Sequence, residues 1–264
     1  MKIYISADIE GVTGCTVWDE TEKNKTDYYL FAEQMTKEVN AACEGAIKAG
    51  AKEIMIKDAH DSGRNINHDK LPMNTKLIRS WAGGLYSMVQ ELDSSYDALI
   101  YIGYHSPASS NANPLAHTMN TSYDKVLING MVASEFLIHS YIAAFHRVPV
   151  VFLSGDKGLC DAVKDLNSNI ETIAVKEGKG NSTINIHPTL ALNLIEAGVN
   201  KALIGDLNKC NIELPSEFKL EVRYKGHSNA YKASHFPGAF LTDEHTVCYN
   251  SKDYIEVLRF LNFI

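Results

Sequence analysis

An α/β fold, with a mainly parallel open sheet flanked by helices, is predicted by three features of this chain. Short apolar runs alternate with segments of helical spacing along most of its length, which implies βαβ units. The first two runs each end in an acid followed, two residues on, by a second polar ligand type: Asp8-Ile9-Glu10 and Asp58-Ala59-His60. One strong hairpin signal, Asn129-Gly130 between apolar flanks, predicts a local β-hairpin excursion near residues 124–133.

The elements follow in order. Lys2 to Ile9 places Ile3, Ile5, Ala7 and Ile9 on one face and reads as the first strand. Asp27 to Ala49 carries Tyr28, Phe31, Met35, Val39, Ala42 and Ala46 at helical spacing, with Gly50 as a stop. Lys52 to Lys57 is the second strand, and Ala98 to Ile102 an apolar strand ending in Gly103-Tyr104-His105. Ser134 reads as an N-cap, with Glu135 in the first turn of a helix to Phe145. Val148 to Leu153 is a buried strand, followed by a short helix (Leu159 to Leu166) and a strand (Glu171 to Val175). Pro188 opens a further helix, Lys219 to Tyr224 is a late strand, and a final helix starts at Asp253. Asn65 to Gly84 and Ser106 to Ser122 are poorly periodic, as functional loops often are. Lys176 to Ser182 lacks the spacing of a phosphate loop and reads as a flexible connection.

Composition narrows the function. The 264 residues are read as a single catalytic domain, 1–264, with a smaller C-terminal subdomain set off from about residue 190. A net charge of −7 gives no basic footprint for nucleic acid or an anionic membrane, so a small substrate held by local charges is expected. Five dispersed cysteines with no C-x-x-C pair fit reduced thiols in a cytoplasmic protein and argue against a cysteine-based zinc site. Asp8 and Glu10 interrupt the N-terminal apolar run, which therefore lacks the plan of a signal peptide.

Carboxylate plus imidazole is the ligand mixture of a hydrolytic divalent-metal site, and ligands of open α/β sheets bind beyond the carboxyl ends of strands. Asp8, Glu10, His60, His105 and Glu135 fall on or just beyond such ends, or in a helix's first turn. Five ligands with one shared carboxylate supply three bonds to each of two metals and leave positions open. His117 lies in the loop after the third strand end, close to the same rim. Two rival readings use the same acids. A haloacid-dehalogenase-like phosphatase would employ Asp8 as nucleophile, with Mg²⁺ on Glu10 and Asp156. A non-catalytic small-molecule-binding protein would leave the rim solvated.

Ser6-Ala7-Asp8-Ile9-Glu10-Gly11 resembles the S-x-D-x-E-G opening of the D-aminopeptidases of metallopeptidase family M55. Asp58-Ala59-His60, Gly103-Tyr104-His105, His117-Thr118-Met119, Glu135-Phe136, Ser154-Gly155-Asp156, Ala174-Val175-Lys176 and Phe236-Pro237-Gly238 follow in the family's order. Ser134 stands where the family usually has glycine, and Lys157 where a second acid is expected. The resemblance implies a hydrolase that cleaves short peptides with an N-terminal D-amino acid. It implies two Zn²⁺ per subunit, with Asp8 bridging, Glu10 and His60 on one ion, and His105 and Glu135 on the other. It further implies a catalytic role for His117, in proton transfer, oxyanion stabilisation or direct attack, and a homo-decamer of two stacked pentameric rings. Asp58 is expected to orient His60 or a bound water.

Overall fold

The computed structural model describes residues 1–264, and it carries two sheets. Elements in chain order are β1 (Lys2–Ala7), α1 (Tyr28–Lys48), β2 (Glu53–Asp58), β3 (Thr75–Ile78) and β4 (Ala98–Tyr104). The hairpin β5 (Tyr123–Ile128) and β6 (Met131–Val132) leads to α2 (Glu135–Phe145) and β7 (Val150–Asp156). Then come α3 (Lys157–Leu166), β8 (Glu171–Lys179), β9 (Ser182–Asn185) and α4 (Pro188–Ile204). The chain closes with β10 (Phe218–Tyr224), α5 (His227–Ala233), β11 (Phe240–Asp243), β12 (Thr246–Ser251) and α6 (Tyr254–Phe263).

The larger sheet has the order β3-β2-β1-β4-β7-β8-β9, parallel except for β9 against β8. From β1 the chain winds outward to β2 and β3 on one side and to β4, β7 and β8 on the other. The crevice at such a reversal lies outside the carboxyl ends of the two central strands, here β1 and β4. Those ends interlock: Asp8 N–H donates to Ile102 O and Gly11 N–H to Gly103 O, both at 2.8 Å. A Cβ on Gly11 would stand 1.9 Å from the Tyr104 carbonyl oxygen, and Gly103 adopts a φ of +68° beside the Asp8 carbonyl. Only glycine permits that approach and that dihedral. The rigid join holds the two loops that follow β1 and β4 in fixed register.

The second sheet, β11-β12-β10-β5-β6, is antiparallel and combines the hairpin near residues 124–133 with the late strands. Aromatic contacts tie it to α2: Tyr254 packs on Tyr141 and Phe218, and its hydroxyl donates to Ile138 O at 2.6 Å. Tyr101 of β4 meets Phe136 of the same helix, so the helix that carries Glu135 is held by both sheets. The Ser134 cap read from sequence is present, accepting from Leu137 N–H, and Asp253 caps the last helix by accepting from Ile255 N–H.

Several elements escaped the sequence reading. β3 and β9 are four-residue edge strands, too short to establish a period. Lys176–Ser182 is no flexible connection: β8 runs to Lys179 and turns at Gly180-Asn181 into β9, and Lys176 is buried. α5, β11 and β12 also went unread. α5 spans only seven residues, and β11 is exposed throughout, so neither shows an apolar pattern. No helix is long and apolar enough to cross a membrane.

Candidate metal centre

The end of β1 supplies Asp8 and Glu10, the end of β2 supplies His60, the end of β4 supplies His105, and the first turn of α2 supplies Glu135. All five are buried, and they converge. His60 Nδ1 stands 3.3 Å from Asp8 Oδ1 and 3.2 Å from Glu10 Oε2. His105 Nε2 stands 3.5 Å from Asp8 Oδ2 and 3.3 Å from Glu135 Oε2. One oxygen of Asp8 therefore faces each set.

The spacing and polarity fit bound metal. Ligand atoms about 2.0–2.1 Å from a tetrahedral zinc stand about 3.3–3.4 Å apart, whereas N–H···O hydrogen bonds centre near 2.9–3.0 Å. Each imidazole spends its other nitrogen on a backbone carbonyl: His60 Nε2 on Thr21 O and His105 Nδ1 on Ser106 O, both at 2.9 Å. Those bonds set the tautomer and turn the bare nitrogens toward the carboxylates. Glu10 Oε2, His105 Nε2 and Glu135 Oε2 have no hydrogen-bond partner although all are buried. Three carboxylates facing two imidazole lone pairs carry a charge of about −3, which two divalent cations would offset.

Without a cation the same cluster holds protons. Burial opposes charge on His105, but Glu135 and the neighbouring carboxylates outweigh it and raise the imidazole to about 10. Burial likewise opposes charge on His60, yet Glu10 and Asp8 lift it well above its ordinary range. For Glu135 burial acts upward and is overcome by His105, leaving the carboxyl at about 2. Burial and the adjacent Glu10 push Asp8 the other way, well above a usual carboxylate.

His117 lies where the loop reading put it, at the rim. Its ring stacks on His105, with centroids 4.3 Å apart and planes 15° apart, and Trp18 meets it edge-on at 5.4 Å. Nδ1 contacts Leu115 O at 2.9 Å, while Nε2 faces Glu135 Oε1 at 3.6 Å. Glu135 Oε1 also accepts from Met119 N–H at 2.7 Å. The site opens into a cavity of about 440 Å³, walled by Trp18, Thr21, Glu22, Asp61, Trp81 and Met119 among others. Both tryptophans of the chain line it, a signal that sequence periodicity could not locate.

Two sequence-based roles need correction. Asp58 does not touch the His60 ring. Its oxygens accept from Asn65 N–H, Ile66 N–H and the Asn65 side-chain amide, which in turn donates to His60 O. It shapes the loop, and the Thr21 carbonyl orients the imidazole. Asp156, the magnesium ligand of the phosphatase reading, is saturated by Ser106 N–H, Ser106 Oγ, Leu159 N–H and the Asn113 amide. It caps α3 and has no lone pair turned toward the cavity. His139, on α2, is buried between Glu135 O and Met88 N–H, and burial lowers it to about 4.

Comparison with known proteins agrees with this geometry. The model of a peptidase family, M55, described as D-aminopeptidase, matches residues 1–263. A D-aminopeptidase of Bacillus subtilis (strain 168) is 27% identical over 263 residues, covering 98% of this chain and 94% of that protein. A solved structure superposes with a TM-score of 0.91 at 26% identity, over 99% of this chain and 95% of the other. It is described as the Zn-dependent D-aminopeptidase DppA from Bacillus subtilis, a self-compartmentalizing protease.

Proposed function

The chain belongs to the M55 family of D-aminopeptidases, and from that premise we propose that it is a zinc-dependent enzyme removing an N-terminal D-amino acid from short peptides. The observation that carries the metal chemistry is the split of Asp8, with one oxygen toward Glu10 and His60 and the other toward Glu135 and His105. In this reading Asp8 would be shared by two ions, with Glu10 and His60 holding one and His105 and Glu135 holding the other. Zinc held there supplies Lewis acidity at the scissile carbonyl and lowers the pKa of water toward ~7.

The remaining work falls to side chains. His117, its Nδ1–H directed at the Leu115 carbonyl, presents a bare Nε2 to the cavity. It takes the proton from the attacking water as the new C–O bond forms. It returns that proton to the leaving amine as the C–N bond breaks. Glu22 and Asp61 on the cavity wall suit the free ammonium of the substrate, which accounts for action at the amino end. A second role for His117 has its own support: its ring nitrogen, that of His105 and a Glu135 oxygen lie within 4.8 Å of one another, close enough to share an ion.

Self-compartmentalization in the structural relative supports an oligomer here, and we extend this to a decamer of two stacked rings, about 292 kDa for ten 29.2-kDa chains. Five free, buried cysteines support a reducing, cytoplasmic setting. The deciding experiment couples metal analysis to hydrolysis of matched D- and L-aminoacyl substrates. About two zinc per chain with turnover of the D-series alone is the expected result. Turnover of phosphomonoesters with labile Mg²⁺, or no turnover, would overturn it.

A further inference from the structure

Granting the aminopeptidase reading, we propose that Trp81 selects the side chain of the substrate's first residue, and that the buried Lys57 is the positioning residue that holds the indole in place. The substrate class is then a short peptide whose N-terminal D-residue is large and apolar. Lys57 lies on β2, three residues before His60, and is fully buried. An ammonium has three N–H donors, and the structure accounts for all of them. Nζ donates to Asp58 O at 2.6 Å and to Ser80 O at 2.9 Å, and it stands 3.7 Å from the centre of the Trp81 ring. No carboxylate pairs with it, because the neighbouring Asp58 turns its own oxygens to Asn65 and Ile66. An ammonium buried without a counter-ion is costly, and a tryptophan face is the best aromatic partner for a desolvated cation. Burial lowers Lys57 to about 8, so it remains mainly charged at neutral pH.

The backbone just before Trp81 is gripped from two sides. Ser80 N–H donates to Gly63 O at 2.7 Å, while the Ser80 carbonyl accepts from Lys57. Ser80 holds a φ of +63°, and a Cβ on Gly63 would stand 2.7 Å from its nitrogen. Beyond this point the loop has little to hold it. Residues 80–84 are exposed, and a Cβ on Gly83 or Gly84 would meet nothing within 4 Å. Lys57 therefore fixes an indole on a segment that would otherwise leave it free to swing.

The fixed indole stands where the first residue of the substrate is expected. Trp81 lines the metal-centre cavity, whose hydrophobic lining also includes Trp18, Ala59, Met88 and Met119. Its Nε1–H donates to Asp61 O at 2.6 Å, so the ring adjoins the residue whose carboxylate suits the substrate ammonium. Ammonium and side chain leave the same Cα, and a first residue held at Asp61 brings its side chain toward the indole. The cavity of about 440 Å³ leaves room for more than a methyl group there.

The test compares D-alanyl-, D-leucyl- and D-phenylalanyl-glycylglycine on the zinc-loaded native protein and on variants of Trp81 and Lys57. The native enzyme should favour D-phenylalanyl over D-alanyl by about tenfold or more in kcat/KM, with the difference in KM. Trp81→Ala should bring that ratio to within about twofold of one, and Trp81→Phe should keep most of it. Lys57→Met should lower the ratio as Trp81→Ala does, at unchanged zinc per chain, whereas Lys57→Arg, which keeps the cation, should retain it. Lys57→Gln replaces Lys57→Met if the latter does not fold, and the Trp81 variants, on an exposed loop, test the wall independently. A native ratio at or below one overturns the proposal, as does a ratio that Trp81→Ala leaves unchanged. A ratio that survives loss of the Lys57 charge overturns the positioning role. No turnover of any of the three peptides by the native protein would count instead against the aminopeptidase reading itself.

Discussion

Two acid-bearing strand ends lie at the same rim of the larger sheet, one on either side of β4, and do opposite things. Beyond β1, Asp8 and Glu10 meet imidazole nitrogens at 3.2–3.5 Å, and Glu10 Oε2 has no hydrogen-bond donor. At the end of β7, Asp156 accepts from Ser106, Leu159 and Asn113, and nothing remains for a ligand. Both strand ends carry buried acids. The difference is where their lone pairs are spent. A saturated carboxylate holds the fold, whereas one facing bare imidazole nitrogens is arranged for a cation.

Glu38 makes the contrast stricter. It is buried in α1, and its Oε2 also lacks a partner, but no imidazole faces it. Burial, partly offset by hydrogen bonds from Gln34 and Thr13, raises its carboxyl to about 7. Glu10 and Glu135 are lowered instead. An orphaned oxygen by itself therefore does not mark a metal ligand. The company of imidazoles does.

The largest effect should come from Asp8→Ala, which removes the one carboxylate facing both sets. Metal per chain after dialysis against a weak chelator should fall toward zero, and activity by about 10³-fold or more. His60→Ala and His105→Ala should each weaken mainly one ion. A full metal complement in Asp8→Ala would break the bridging assignment. His117→Ala comes next, with kcat on a D-aminoacyl peptide reduced about 10²–10⁴-fold at unchanged zinc content. Loss of one ion in that variant would make His117 a ligand, and near-native turnover would return it to the loop surface.

Asp156→Ala should leave bound zinc per folded chain intact while lowering stability by about 3 kcal/mol, because several buried donors lose their acceptor. Thermal melting with metal analysis on the soluble fraction checks both halves. Metal lost without a change in melting would reverse the comparison. The effect furthest from the chemistry belongs to Glu38→Gln, which changes stability alone and only at high pH. A carboxyl raised in the fold favours the native state only below its ordinary value of 4.5, and that contribution is lost as pH rises through about 7. The variant should match the native protein near pH 4.5 and exceed it above pH 7, by about 3 kcal/mol. Urea midpoints between pH 4.5 and 9 measure the gap, and a gap that does not vary with pH would refute a protonated Glu38.

Legibility tracked the reach of each physical signal. β1, α1, β2, β4, the hairpin, α2, β7 and α4 have an apolar period or a cap written in adjacent residues. Short edge strands and the exposed β11 carry neither. The six residues nominated for chemistry are brought together by the fold, since residue type and strand-end position are local facts. The Thr21 carbonyl behind His60 comes from 39 residues away in the chain, and Trp18 and Trp81 sit in unpatterned loops, so no spacing announced them.

From sequence alone came the α/β class, the acid and imidazole strand ends and the resemblance to a metallopeptidase family, because patterning and residue chemistry survive without coordinates. The tertiary structure decided which acids face a cation and which are consumed in hydrogen bonds. Asp8, Asp58 and Asp156 are all acids at the ends of parallel strands. Only the three-dimensional placement of N–H donors and bare imidazole nitrogens around each one separates a candidate ligand from a loop brace or a helix cap, since satisfaction of a lone pair is a property of neighbours that sequence order does not fix.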